Sequence, residues 1–298
     1  CSDYFYVRGS TVNEKDWELL LTLYEEGSIT KAAEKMYLSQ PAITYRIRQL
    51  EDHFNCMIIL RGSKGVIFTP EGELLVTYAR KMINELHHVK NKLNHLNPTI
   101  RGTLRIGVAD IFAYYRLPSL IEGFLSIYPN VDIELTANWS YKILKLLYSE
   151  DIHIAIVRGE HQWDEGQVLL DQESICIASK NKIELSHLPH LNLIRYKTDS
   201  QLLNSFDNWW KENYKVPPTS SIQVDSMITS KELVKRGLGY AFFPSICILD
   251  SDELYTVELK PNKKQFHRKT WLLYRDELTE LNVFLAFIHF AKSFFNVT

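Results

Sequence analysis

Between residues 17 and 50 the hydrophobic positions fall at helical spacing, in blocks separated by hydroxyl and glycine residues. Ala32, Ala33 and Met36 share one face of a short block, and Ile43, Ile47 and Leu50 share one face of the next. Ser28 and Ser39 stand immediately before these blocks, where a hydroxyl caps the free amides that open a helix, so two helices joined by a tight corner are predicted. A preceding helix carries Trp17, Leu20, Leu21 and Tyr24 on one face and ends at Gly27. Residues 57–61 and 66–68 then alternate around a glycine-flanked turn, the pattern of a small hairpin. From Thr69 and Pro70 a long helix runs to about Leu96. Its apolar residues Leu75, Ala79, Met82, Leu86, Val89, Leu93 and Leu96 step by four and three, the period of a two-helix seam, so self-association along this helix is expected.

Asn97-Pro98-Thr99 breaks that helix, and the pattern changes. Leu104, Ile106 and Val108 alternate, as do Val131, Ile133 and Leu135, and Ile152, Ile154 and Ile156. Helical stretches lie between them near 117–128 and 140–149, a spacing that implies a parallel sheet. Further strands are predicted near 174–179, 191–195, 222–224 and 239–243, with helices near 200–213, 227–236 and 279–295. The length allows two α/β lobes.

The polar positions of the second short helix give the first chemical signal. Gln40, Pro41, Thr44, Tyr45 and Arg48 point away from its apolar stripe, with Pro41 tolerated in the first turn because those amides have no helical partner. Glutamine pairs with adenine in two places, threonine meets a thymine methyl, and arginine grips guanine or phosphate, so this face suits the DNA major groove. Charge supports that side: residues 28–68 carry six Lys or Arg against three acids, whereas residues 14–26 carry one lysine against five acids.

Gly27, Ser28, Thr30, Ala32, Ala33, Ser39, Gln40, Pro41, Ala42, Ile43, Ile47, Leu50 and Glu51 together resemble the motif of the LysR-type transcriptional regulators. Met36 replaces the usual leucine, Thr44 the usual serine, and Tyr45 stands where arginine is common. The resemblance implies an amino-terminal winged helix-turn-helix and a long linker helix. These precede a two-lobed, periplasmic-binding-protein-like α/β effector domain. It implies DNA contacts from Ser28, Thr30, Ser39, Gln40, Pro41, Ala42, Thr44, Tyr45 and Arg48, with Arg61 and Lys64 contributed by the hairpin wing. Segments 101–107 and 237–244 resemble the family's later landmarks. The implied boundaries are 12–69 for the winged helix-turn-helix, 70–97 for the linker helix and 101–298 for the effector domain. Within that domain, lobe one is 101–172 plus 268–298 and lobe two is 173–267. Residues 1–11 are read as an extension without a place in the pattern and with too little apolar run for a signal peptide.

In open α/β sheets, strand carboxyl ends and helix amino ends converge on one crevice. The loops placed there supply the effector-site candidates Ala109, Asp110, Ile111, Phe112, Asn138, Trp139, Ser140, Tyr196, Thr198, Asp225 and Ser226. Relatives often carry serine or threonine after the first strand, where this chain has Asp110 and Phe112, which points away from a simple carboxylate and toward an amine or an aromatic group. Ser140 and Ser226 also have a purely structural reading as helix caps.

The expected partners are double-stranded DNA, a small-molecule effector, a second or fourth copy of the chain and, by resemblance, RNA polymerase. The 298-residue chain has a net charge of −2 and 45% hydrophobic residues. No apolar run approaches the roughly twenty residues that span a bilayer, so a cytoplasmic protein with no membrane role is expected. Four cysteines lie far apart and form no metal-type cluster. No phosphate-cradling loop, nucleophile elbow or metal-type histidine pair is present, so neither catalysis nor a cofactor is expected. A redox switch through Cys176 and Cys247 is the alternative, set against two buried thiols.

Overall fold

The computed structural model describes residues 12–62, 65–95, 100–259 and 267–297. The chain divides into two compact units, Cys1–Leu93 and Asn94–Thr298. The proposed extension 1–11 lies outside the described residues.

In the first unit α1 (Glu14–Glu26), α2 (Ile29–Lys35) and α3 (Gln40–Phe54) are followed by β1 (Ile59–Gly62), β2 (Gly65–Phe68) and α4 (Pro70–His95). Each start has a local cause. The Asp16 carboxylate accepts from the Asn13 amide at 2.7 Å, Ser28 accepts from the Lys31 amide at 3.4 Å, and Ser39 accepts from the Ala42 amide at 3.3 Å. Thr69 Oγ1 accepts from the Gly72 amide at 3.0 Å and opens α4. The core face of α1 is Leu19, Leu20 and Leu23, packed with Ala32, Ala33, Ile43, Ile47, Leu50 and Ile58. Trp17 and Leu21 lie only partly buried at its margin, and Tyr24 is exposed, its ring edge-on to Phe68.

The β1–β2 hairpin is tied to the helices at both ends. Glu51 Oε1 accepts from the amides of Ile58 and Ile59 at 2.9 and 3.3 Å, and the Val66 amide donates to Gly27 O at 3.0 Å. Gly65 has φ +113°, and a Cβ there would stand 2.6 Å from Gly27 O, so only glycine lets the hairpin approach so closely.

The regular stripe on α4 divides in two. Ala79 is fully buried and Leu75 partly buried within this unit's own core. Met82 and Val89 are exposed, while Leu93 and Leu96 fall among residues whose side chains are not described. The expected seven-residue seam is thus corrected at its start: Leu75 and Ala79 are occupied intramolecularly because α4 must also roof the three-helix core.

The second unit holds a seven-stranded mixed sheet. Its strands are β3 (Gly102–Ala109), β4 (Val131–Asn138), β5 (Ile154–Arg158), β6 (Gln167–Ser179), β9 (Tyr240–Pro244), β10 (Tyr255–Glu258) and β11 (His267–Tyr274). β3 runs parallel to β4 and β5, as the spacing predicts. The remainder of the sheet is antiparallel, because a strand not anticipated from the sequence, β11, lies between β5 and β6 and opposes both. The signal for β11 was weak because its inward positions are Arg268 and Thr270 as well as Leu272, all buried. β6 is 13 residues long; its first half pairs with β11 and its second half with β9 and β10, so it serves both lobes.

On one sheet face Ile106, Ile154 and Ile156 meet α6 (Leu117–Ile127) and α10 (Asn282–Phe294), with Phe124 edge-on to Phe287 at 5.0 Å. On the other, Ala155 and Val157 meet Ile143 and Leu147 of α7 (Ser140–Tyr148). A short helix, α5 (Asp110–Tyr115), follows β3. The second lobe adds the parallel pair β7 (Ile194–Tyr196) and β8 (Ile222–Val224) with α8 (Ser200–Asn213) and α9 (Met227–Lys235).

Candidate nucleic-acid interface and ligand cleft

In the first unit the apolar stripe of α3 is buried, leaving Gln40, Pro41, Ala42, Tyr45 and Arg48 exposed and Thr44 half-buried. Gln40 Nε2 donates to Thr30 Oγ1 at 3.0 Å, which joins the first turn of α3 to α2 and leaves the Gln40 carbonyl oxygen open to an incoming donor. Tyr45 is 64% exposed, and its hydroxyl accepts from Gln49 Nε2 at 2.9 Å. The ring is thereby aligned along the helix while its own O–H is available to donate. Arg48 forms no ion pair among the described residues. The neighbouring Arg46 is instead bound to buried Asp16. Ser28 and Ser39 act as caps, so their hydroxyls already serve the backbone. Arg61 lies in β1, but its side chain and the whole of Lys64 are outside the described residues. One exposed feature the sequence reading did not single out is Tyr37, at the corner between α2 and α3, 96% exposed with φ +55°.

In the second unit a cavity of about 650 Å³ opens where the carboxyl ends of β3, β4, β5, β7 and β8 approach the amino ends of α5, α7, α8 and α9. It brings together eight of the predicted residues: Ala109, Asp110, Ile111, Trp139, Ser140, Thr198, Asp225 and Ser226. Three others fall elsewhere. Phe112 is fully buried in the core against Phe295, because the first turn of α5 rotates it inward. Asn138 accepts from the Trp139 amide through Oδ1 at 2.9 Å and supports the loop. Tyr196 donates its hydroxyl to Phe242 O at 2.5 Å, facing the second lobe's interior, where burial pushes its phenol well above the usual range.

The cleft also contains side chains that sequence reasoning missed: Tyr141, Arg158, His161, Gln201, Leu202, Met227, Ile228 and Arg268. Arg158 ends β5, pairs with Glu173 in a fully buried contact, and receives a hydrogen bond to its carbonyl from Arg268 Nη2 at 3.3 Å. Burial pulls its guanidinium down to about 10, still far above neutrality, so the pair is ionic. Arg268 binds Asp199, with Nη1 3.2 Å from Oδ1. Asp199 also accepts from the Leu202 amide at 3.0 Å and caps α8. His161 donates Nε2–H to Arg158 O at 3.0 Å; burial and then the Arg268 charge lower its pKa, against that hydrogen bond, so the ring is neutral near pH 7. Ser226 accepts from the Thr229 amide at 3.5 Å and caps α9, as its structural reading has it. Ser140 is instead the first residue of α7 and caps no helix: its hydroxyl accepts from the Arg158 amide at the end of β5 at 3.0 Å.

Both cleft arginines are therefore neutralised by carboxylates. Asp110 and Asp225 have no ion pair among the described residues. Partial burial raises the Asp110 carboxyl, opposed by Lys142. Cys176 and Cys247 are buried, and burial pushes each thiol up to about 12. Cys247 Sγ lies 3.2 Å from Met227 Sδ. Protonated, inaccessible thiols do not favour the redox alternative. No cluster of metal-ligating side chains and no helix long and apolar enough to cross a membrane occurs among the described residues.

Residues 15–73 match the family model described as bacterial regulatory helix-turn-helix protein, lysR family, and residues 98–296 match the LysR substrate binding domain. The chain is 42% identical over 282 residues to the uncharacterized HTH-type transcriptional regulator YraN of Bacillus subtilis (strain 168), covering 94% of this chain and 98% of that one. Its fold is similar to the crystal structure of CbnR, a LysR family transcriptional regulator, with a TM-score of 0.67 at 16% identity over 95% of this chain and 99% of that one. Full-length CbnR complexed with its target DNA gives a TM-score of 0.67 at 16% identity, over 94% and 99%.

Proposed function

The chain belongs to the LysR family of transcriptional regulators, and from that premise we propose that it binds an imperfect inverted-repeat operator as a homodimer or homotetramer in the cytoplasm. A small molecule held between the two carboxyl-terminal lobes would shift its conformational equilibrium and, through it, contacts with DNA and RNA polymerase. The observation that carries the reading is the capped first turn of α3, with its proline and its exposed Gln40, followed by half-buried Thr44 and exposed Tyr45 and Arg48. Twofold symmetry would bring two such turns onto successive major grooves. The self-association surface includes Met82 and Val89 of α4, exposed at helical spacing.

Operator selection from random duplex DNA, followed by the same selection with variants, tests this reading. Gln40→Ala should cost about 1 to 3 kcal/mol at one base position and change the selected base there, while Lys64→Ala should weaken all sequences alike. An unaltered consensus for Gln40→Ala would remove α3 from base readout.

For the cleft, the pairing of Arg158 with Glu173 and of Arg268 with Asp199 leaves Asp110 and Asp225 set against Lys197 as its available charges, a net negative balance. An effector with an amine and an aromatic part, the latter set against Trp139, matches that balance. Calorimetric titration of the full chain with tryptamine should show saturable binding that Asp110→Asn weakens about tenfold. Absence of binding, or binding indifferent to Asp110, would remove the amine reading.

A further inference from the structure

Beneath α8 the second lobe holds another cavity, about 400 Å³, beside the cleft and sharing Trp139, Lys197 and Thr198 with it. Its interior is aromatic: Phe206, Trp210 and Phe242 are buried, and the Phe206 and Phe242 rings stack at 5.0 Å and 21°. The polar atoms of the walls are already engaged. Trp210 Nε1 donates to Val216 O at 2.8 Å, and the Tyr196 hydroxyl donates to Phe242 O at 2.5 Å, so neither asks for a ligand. Charge is confined to Arg195, Lys197 and Asp207. Among the described residues none of these three side chains forms a hydrogen bond or ion pair. Two cations against one carboxylate give a net positive lining.

An aromatic interior with a few convergent charges and a volume in the range of about 300 to 1,000 Å³ is the usual form of a small-molecule site. We propose that this cavity is a second ligand site of the regulator, taking a flat ring compound that bears one anionic group. The ring lies against the aromatic walls, and the anion meets Arg195 and Lys197, whose charges have no internal partner. The cleft, whose arginines are neutralised, sets Asp110 and Asp225 against the shared Lys197 and so has the opposite net charge, and the two sites prefer ligands of opposite charge. The proposal stands apart from the amine reading of the cleft, and each is tested with its own probe.

The test is calorimetric titration of the full chain with 2-naphthoate and, in parallel, with the neutral naphthalene-2-methanol. Naphthoate should bind saturably, once per chain, and at least tenfold more tightly than the alcohol. Leu203→Trp, at a lining position that is 45% exposed and so tolerant of bulk, should abolish binding while leaving the thermal transition in place. Arg195→Gln should weaken binding about tenfold, and Asp207→Asn should strengthen it several-fold by removing the opposing charge. No saturable binding, or equal binding of acid and alcohol, overturns the proposal. So does naphthoate binding that survives both Leu203→Trp and Arg195→Gln, since the acid would then occupy another site.

Discussion

Glu173→Ala should lower the unfolding free energy of the carboxyl-terminal unit by about 3 to 5 kcal/mol, a large share of the roughly 5 to 15 kcal/mol that keeps a domain folded. The Arg158 and Glu173 side chains are 4% and 6% exposed and are bound to each other inside the sheet. Glu173 also accepts from the Ile246 amide at 2.6 Å, so its removal strands both a guanidinium and a backbone donor away from water. The two partners sit on β5 and β6, and β6 passes into the second lobe, so the loss is felt at the cleft as well. Glu173→Gln keeps a shape and an acceptor but not the charge, and most of the loss should remain. The double variant Arg158→Met, Glu173→Met should recover much of it, because two apolar groups of similar volume carry no unpaired charge. Urea denaturation of the four proteins measures the differences. A loss below about 1 kcal/mol for Glu173→Ala would mean that water reaches the pair after all.

Arg46→Ala should be the most damaging single change in the DNA-binding unit, at about 3 kcal/mol, the lower end of the range because the Arg46 side chain is itself 26% exposed. Its guanidinium binds both oxygens of Asp16, a residue 1% exposed at the first turn of α1. Nothing else that approaches Asp16 is a cation among the described residues; its other partner is the Asn13 amide at 2.7 Å. The pair clamps α1 to α3, so the variant should bind operator poorly through loss of folded population rather than loss of contact. Thermal melts of residues whose fluorescence reports Trp17, set beside operator affinity at several temperatures, separate the two causes. Affinity that recovers on cooling supports the clamp, as does recovery in Arg46→Ala, Asp16→Asn. Full stability with affinity still lost would make Arg46 a DNA contact.

Those two pairs also mark where sequence reading reached its limit. Ser28, Ser39, Pro41 and Thr69 are legible because a cap acts within three residues of itself, and the stripes of α2 and α3 are legible because burial repeats with the helical period. The cleft loops followed from a topological rule, and eight of eleven candidates line one cavity. Phe112 did not, because a one-residue turn into α5 decides whether a side chain points to solvent or core. Asp16 with Arg46, Arg158 with Glu173, and Asp199 with Arg268 join residues 30, 15 and 69 positions apart, a separation with no periodic signature. On α4 the stripe was real, but period alone does not say which neighbour it faces. Leu75 and Ala79 face their own unit.

The long strand β6 has one further consequence. Successive residues of a strand point to opposite faces, so deletion of a single residue near its middle would invert the orientation of everything beyond it relative to everything before. Glu173 would turn away from Arg158, while the positions of Ile175 and Ile177 would pass to the opposite face of the sheet, which is also buried and is packed around the smaller Cys176 and Ala178. Substitution in this stretch is therefore a graded insult, whereas a change of length acts like a frameshift written in space. Natural variation among sequences sharing this architecture should conserve the count of residues here more strictly than their identity.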